Sequence, residues 1–395
     1  MSRRRALWAV LGIGLAVVAL VAGYVIARAA IWYQTADFFC FWNGARFLLT
    51  GRDPYDPVAW QAATGGLFPD PRGGVYVSAC PGRFGYPLWT AIALVPFGAL
   101  PLELAATLWI ALAIVATVVG TTLVWRAARG AASGLPLFVA LILFSQPFWV
   151  LLAGGQMSGV MLALAGAVAW SLAYAHDGAA GASLSGLALK PQVAALVLPL
   201  VLLRSLLQRR WRVFAGAMFT ALLVAATTFV IAPRWLEEWL AELGRRSQSV
   251  AQFATVWGFA ADVFGSPLWG ALLLALLVLA ILVVARGRAF RGLPFLGFAI
   301  ALSLLATPYI WSYDFLVLAV PWAIVLAELQ RSGRVRRLAF LLGLVAVASL
   351  LPWLLYALAF SRGRETWSAL VPAMTALLLA AVLAERKRLV PRPAR

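Results

Sequence analysis

The chain has 395 residues, of which 64% are hydrophobic and only 12% charged, and its mean hydropathy is +0.92. A soluble domain carries about twice that charged fraction, and continuous apolar runs near the ~20 residues that cross hydrocarbon exclude the alternating pattern of a β-barrel. The net charge of +18 does not point to nucleic acid, because the basic residues stand in short clusters beside the apolar runs and no aromatic-basic module accompanies them.

Those clusters are Arg3–Arg5, Arg126 with Arg129, Arg204 to Arg212, Arg286 to Arg291, Arg331 to Arg337, and Arg386 onward. Clusters of this kind orient spans by the positive-inside rule and meet anionic lipid heads. The reading is an all-α polytopic membrane protein of about 12 spans, one integral membrane domain over 1–395, with both termini cytoplasmic and its working face outside the cell membrane.

Residues 7–27 are too long for a signal h-region and lack a good cleavage context, so they read as a retained first span. The segment 28–85 is then outer. Within it, 37–50 reads as an interfacial helix, with Phe38, Phe41, Trp42, Ala45 and Leu49 on one face and Asn43 and Arg46 turned away. Asp37 opens that helix. An acid there is a favoured N-cap; it is equally well placed, under aromatics at the end of a span, to serve as a general base. Asp53, Asp56 and Asp70 lie among Pro and Gly and read as loop-capping acids. Cys40 and Cys80 fall in the same segment, where an oxidising exterior permits a disulfide; two unpaired buried thiols are the equal alternative. Arg83, in the turn "CPGRFGYP", suits an anion or a lipid phosphate.

Between 86 and 206 two readings stand. The favoured one makes 86–98 a dipping half-helix, 103–125 an inward span and 179–206 a hairpin whose tip, Lys190–Pro191–Gln192, faces outward. The other makes 86–99 and 180–206 single spans. Gln156, in "AGGQMSG", sits in a tight turn or reaches into a cavity. Lys190 is one of only two lysines, set in an apolar stretch with no carboxylate nearby in sequence. A lone intramembrane ammonium is costly and functional unless it snorkels, and Pro191 frees carbonyls that need a cavity or protein to satisfy them.

From 207 onward both readings agree. Residues 213–232 exit, 233–266 form a second outer loop, 267–285 return, 293–306 exit, 315–329 return, 338–357 exit and 367–384 return. In the second outer loop, 234–243 reads as another interfacial helix: Trp235, Trp239 and Leu243 oppose Glu237, Glu238 and Glu242, with Pro233 opening it and Gly244 closing it. In "TPYIWSYD" (307–314), Trp311, Tyr313 and Asp314 can stack on and hydrogen-bond a sugar, or form an interfacial belt. One histidine, His176, and two scattered cysteines do not build a zinc site, and no metal or cofactor is expected.

In order along the chain, "DFFCFWNGARFLLTGRDPYD", "YPLWTAIALVPFGALP", "GGQMSG", "LALKPQ" followed by "RRW", and "ATPYIWSYDFLVL" together resemble glycosyltransferase family 87. The resemblance implies a GT-C fold and an inverting hexosyltransferase that takes its sugar, often mannose, from a polyprenyl-phosphate carrier at the outer face. It implies that Asp37 is the catalytic base. The donor phosphate then falls to Lys190 and Arg83, with Gln156, Trp311, Tyr313 and Asp314 left for the sugar or the acceptor, a glycolipid or glycan. The competing reading is a transporter or flippase for a lipid-linked sugar, which would use Lys190 as a gating charge but gives no reason for so long a first outer segment.

Overall fold

The computed structural model describes residues 3–28, 36–64, 67–69, 75–77, 80, 83–285, 290–330 and 334–389; Asp70 lies outside them. Among the described residues the regular structure is helical apart from one antiparallel pairing of Leu67–Pro69 with Val75–Val77. Five helices are long and apolar enough to cross a membrane: Leu102–Ala127, Trp211–Ile231, Ser312–Leu329, Leu338–Arg362 and Thr366–Glu385. Ala132–Leu143 and Gln146–Gly154, bent by 52°, make a sixth if they form one broken span. Five more apolar helices run to 10–17 residues: Gly12–Arg28, Ser158–Ala173, Pro191–Leu207, Trp269–Ala285 and Leu293–Ala306. The all-α membrane architecture expected from sequence is the one adopted. Among the described residues, five or six helices are full-length by length and composition, with five shorter ones.

Proline explains several interruptions, since it removes a backbone donor and clashes with the preceding turn. Pro147 follows the bend at Phe144–Ser145, and Pro191 starts a new helix after the break at Lys190. In Leu338–Arg362 a π-helical turn, Ala346–Leu350, precedes Pro352, a common way for a helix to absorb such a residue.

The chain groups into two compact units, interleaved in sequence, so no single point divides it into successive domains. The first comprises Met1–Val118, Leu151–Val160 and Leu222–Arg245. Its centre is the helix Asp37–Leu49, packed on the short helices Leu88–Ala93 and Val95–Gly98. Phe38 stacks on Trp109 with ring centroids 5.4 Å apart, and Phe41 meets Tyr86 at 4.8 Å. Gly98 lets the chains touch: a Cβ there would lie 2.8 Å from that of Ala45. The 37–50 helix is therefore found where expected, but it is more deeply packed than an interfacial helix. Leu49 is exposed, and Asn43 is buried against expectation, because protein rather than water covers the flank that carries it. Arg46 is exposed as expected. Cys40 and Cys80 form a disulfide, and Trp60 donates to the Cys80 carbonyl at 3.1 Å.

The second interfacial helix is found as Trp235–Arg246. Trp235 is buried, within 5.1 Å of Trp89 and 6.2 Å of Trp239. Two details differ from expectation. Gly244 does not close the helix, which runs one turn-fraction further to Arg246. Glu242 does not share the exposure of Glu237; it is buried and paired with Arg245 at 2.5 Å, and that partner is what makes burial of its charge tolerable.

The second unit comprises Val119–Val150, Met161–Ala221 and Arg246–Arg395. Its core is Ser312–Leu329, whose apolar window is 94% buried, against 11% for Trp211–Ile231. The first is therefore wrapped by protein on all sides, and the second turns most of its apolar surface outward, as a lipid-facing span does. Gly216 approaches the Gly178 carbonyl so closely that a Cβ would come within 2.3 Å of it, the small-residue contact typical of membrane helices.

Candidate functional site

In the first unit, Ala36 takes the extended conformation of an N-cap (φ −81°, ψ 151°) and Asp37 is the first helical residue. The sequence leaves open whether Asp37 caps the helix; it does not. The position still matters, because carboxylates are favoured beside the unpaired N–H groups of a first helical turn. Asp37 is half-buried. Its Oδ2 accepts a hydrogen bond from Nε2 of the fully buried Gln156.

Gln156 reaches Asp37 because of its turn. The helix Gln146–Gly154 stops, Gly155 adopts φ +61°, which favours glycine, and the next helix begins at Ser158. The Gly155 carbonyl accepts from Trp109 Nε1 at 2.8 Å, so the indole that stacks on Phe38 also fixes this turn. Asp37 is thus held from two sides by one connected structure: its helix through Phe38 and Trp109, and its carboxylate through Gln156. The tight turn and the functional glutamine weighed from sequence are one feature.

Arg83 lies in the same unit, half-buried, and interacts electrostatically with Glu238. The Glu238 carboxyl is pushed up first by burial and then by Asp53, whose side chain is hydrogen-bonded to it; Arg234 and Arg83 oppose the rise. Asp53 also caps its turn, accepting from the Tyr55 N–H at 2.9 Å, and Asp56 accepts from Val58 N at 2.9 Å. Both are the loop-capping acids the sequence suggested, and Asp53 in addition faces the Glu238–Arg83 pair.

In the second unit the chain breaks at Lys190 (φ −128°, ψ 84°), since a residue before proline is driven out of the α region. Lys190 is wholly buried, and its Nζ lies 2.5 Å from Asp314 Oδ1, itself 1% exposed. The same Nζ sits 4.4 Å from the centre of the Tyr313 ring. The lysine that looked isolated in sequence meets its carboxylate 124 residues later, and two of the three aromatic and acidic residues singled out in "TPYIWSYD" surround it. The third, Trp311, is half-buried and meets Phe253 edge-on at 5.3 Å.

Two residues of this network escaped the sequence reading. Glu365 accepts from the backbone N–H of Ser312 at 2.7 Å, and Gln146 donates to the Ser312 hydroxyl at 2.9 Å. Glu365 retains some exposed area but is closely surrounded by protein. Burial pushes its carboxyl up, Ser312 holds it back, and Asp314 adds to the rise. An acid just after two arginines in "SRGRET" looks like loop solvation; only its partner across 53 residues marks it.

The sequence pattern of glycosyltransferase family 87 matches residues 84–308, more than half of the chain. Gln156 and Lys190 fall inside the matched stretch, Arg83 borders it, and Asp37 and Trp311–Asp314 lie beyond it. The crystal structure of ArnT from Cupriavidus metallidurans in the apo state is similar at 16% sequence identity and a TM-score of 0.37, covering 97% of this chain and 77% of that one. No curated protein matches the sequence. A family pattern spanning more than half of an all-helical membrane protein is decisive for membership: the chain belongs to glycosyltransferase family 87 and is a membrane glycosyltransferase.

Proposed function

We propose that the enzyme transfers a hexose, with mannose as the first candidate, from a polyprenyl-phosphate carrier to a glycolipid or envelope-glycan acceptor on the outer face of the cell membrane. Outside a membrane there is no pool of nucleotide sugars, so an activated donor arrives within the bilayer. The acceptor hydroxyl attacks C1 of the sugar from the face opposite the phosphate. The C1–O bond breaks, the phosphate leaves with the electron pair, and the configuration inverts. Asp37 takes the hydroxyl proton.

The observation that supports this reading is the hold on Asp37: a carboxylate at the start of a packed, disulfide-tied helix, oriented by a buried amide. A positioned general base contributes roughly 10² to 10⁴ in rate. Gln156 serves the acceptor side by aiming that base. Arg83 and Lys190 are assigned to the donor phosphate, whose growing charge needs cations. Trp311, Tyr313 and Asp314 are assigned to the sugar, and Asp314 also pairs with Lys190.

The test uses purified full-length protein with labelled polyprenyl-phosphate sugars and membrane lipid extract. Asp37→Asn keeps an oxygen that accepts from Gln156 but cannot take a proton. We expect transfer to fall at least ~10²-fold with an unchanged melting temperature. Wild-type turnover in that variant would remove Asp37 from the chemistry.

A further inference from the structure

The second unit contains a small open-sided cavity of about 80 Å³ that includes neither of the cations assigned to the donor phosphate. Its polar lining comes from Arg204, Ser205, Gln208 and Arg210, and the rest is apolar, including Phe295 and Leu172. None of the lining residues is acidic. Arg210 is already neutralised by Asp177, with Nε 3.2 Å from its Oδ2. Arg204 is in a different state. Its guanidinium donates to the Phe290 carbonyl and lies 4.4 Å over the Phe295 ring, and the Gln208 amide, once turned so that its oxygen faces the guanidinium, accepts at 3.1 and 3.2 Å. All of these partners are neutral. Arg291 is near enough to oppose its charge further. A half-buried cation answered only by neutral acceptors is electrostatically incomplete, and an anion completes it.

The surroundings say what carries that anion. On the helix that bears Arg204, Leu203 is 54% and Leu207 77% exposed, and Trp211 beyond it is 61% exposed. Exposed leucines beside a basic cluster and a tryptophan are the signature of a helix leaving hydrocarbon for the headgroup layer. We propose that this cavity binds the phosphate of an anionic phospholipid, with Arg204 as its cation and the lipid chains lying along the exposed apolar surface beside it. By the positive-inside rule this is the cytoplasmic leaflet, away from the outer face assigned to catalysis.

The experiment is native mass spectrometry of the full-length protein released from detergent, titrated with phosphatidylglycerol, phosphatidylcholine or inorganic phosphate. We expect phosphatidylglycerol to be retained over phosphatidylcholine, and Arg204→Gln to weaken that retention about fivefold, the effect of roughly 1 kcal/mol for one basic residue at a membrane surface. Ala173→Phe fills the cavity from its apolar wall while leaving Arg204 in place, and should weaken retention equally. Equal binding of both lipids, or preference for phosphatidylglycerol surviving both substitutions, overturns the proposal. Arg204-dependent binding of inorganic phosphate as tight as that of the lipid also overturns it, in favour of a soluble anion. None of these outcomes bears on Asp37.

Discussion

Glu365 illustrates how much a single side chain can add to a structured loop. Its carboxyl accepts the Ser312 N–H beside the Lys190–Asp314 pair, and burial together with Asp314 raises its proton affinity. For such a group the folded state binds the proton more tightly than the unfolded one. Its contribution to stability is complete at pH values below the ordinary carboxylate range and is lost as pH rises through the raised value. Glu365→Gln, which keeps an acceptor and never ionises, should therefore flatten the fall in melting temperature on the alkaline side. Glu365→Ala, which leaves the Ser312 N–H without that acceptor, should cost about 1–3 kcal/mol at low pH, where the contribution is complete. Thermal unfolding followed across the pH range checks both; an unaltered pH profile in the glutamine variant would show that the residue does not titrate in that window. Residues of this kind also show where sequence reading ends. Asp37 and Lys190 stood out because an acid beside aromatics, or a lysine in an apolar run, is expensive unless compensated. Glu365 and Gln146 did not, since each looks ordinary until its distant partner is known.

At the scale of elements, periodicity and proline placement carried most of the information. The spans at 103–125, 213–232, 267–285 and 293–306 reappear as Leu102–Ala127, Trp211–Ile231, Trp269–Ala285 and Leu293–Ala306. The Asp37–Leu49 helix was legible, but its faces were only partly so, because amphipathic spacing assumes that water or lipid covers one side. Asn43 and Glu242 are buried where tertiary neighbours replaced solvent. The Lys190–Asp314 pair links two irregular elements, the break before Pro191 and the 3₁₀ stretch Ser312–Leu318. Removing one partner of such a pair strands a buried charge. Lys190→Met alone should cost roughly 3–5 kcal/mol, while Lys190→Met with Asp314→Leu should recover most of it. Denaturation measurements give the stabilities, and donor binding by the double variant separates two roles. A stable double variant that no longer binds polyprenyl-phosphate sugar supports a donor-binding role for the pair; one that binds normally confines the pair to architecture.

For the whole molecule, charge distribution and hydropathy sufficed to recognise a helical membrane protein, and ordered short motifs sufficed to recognise its family. Contact organisation was not legible: the two units are assembled from alternating stretches, and nothing local in a hydrophobic run declares which stretch it will join. The Cys40–Cys80 bond was an even choice from sequence and is made. By chain entropy, closing a loop with a separation of 40 residues is worth about 3–4 kcal/mol. Cys40→Ser with Cys80→Ser should lower stability by that order, as measured by denaturant unfolding, and should cut turnover further than it cuts folded protein, because Asp37 sits on the helix that the bond restrains. A thiol-rich compartment would not sustain this bond. In such a compartment the helix that bears the proposed base would lose its tether to the segment around Cys80.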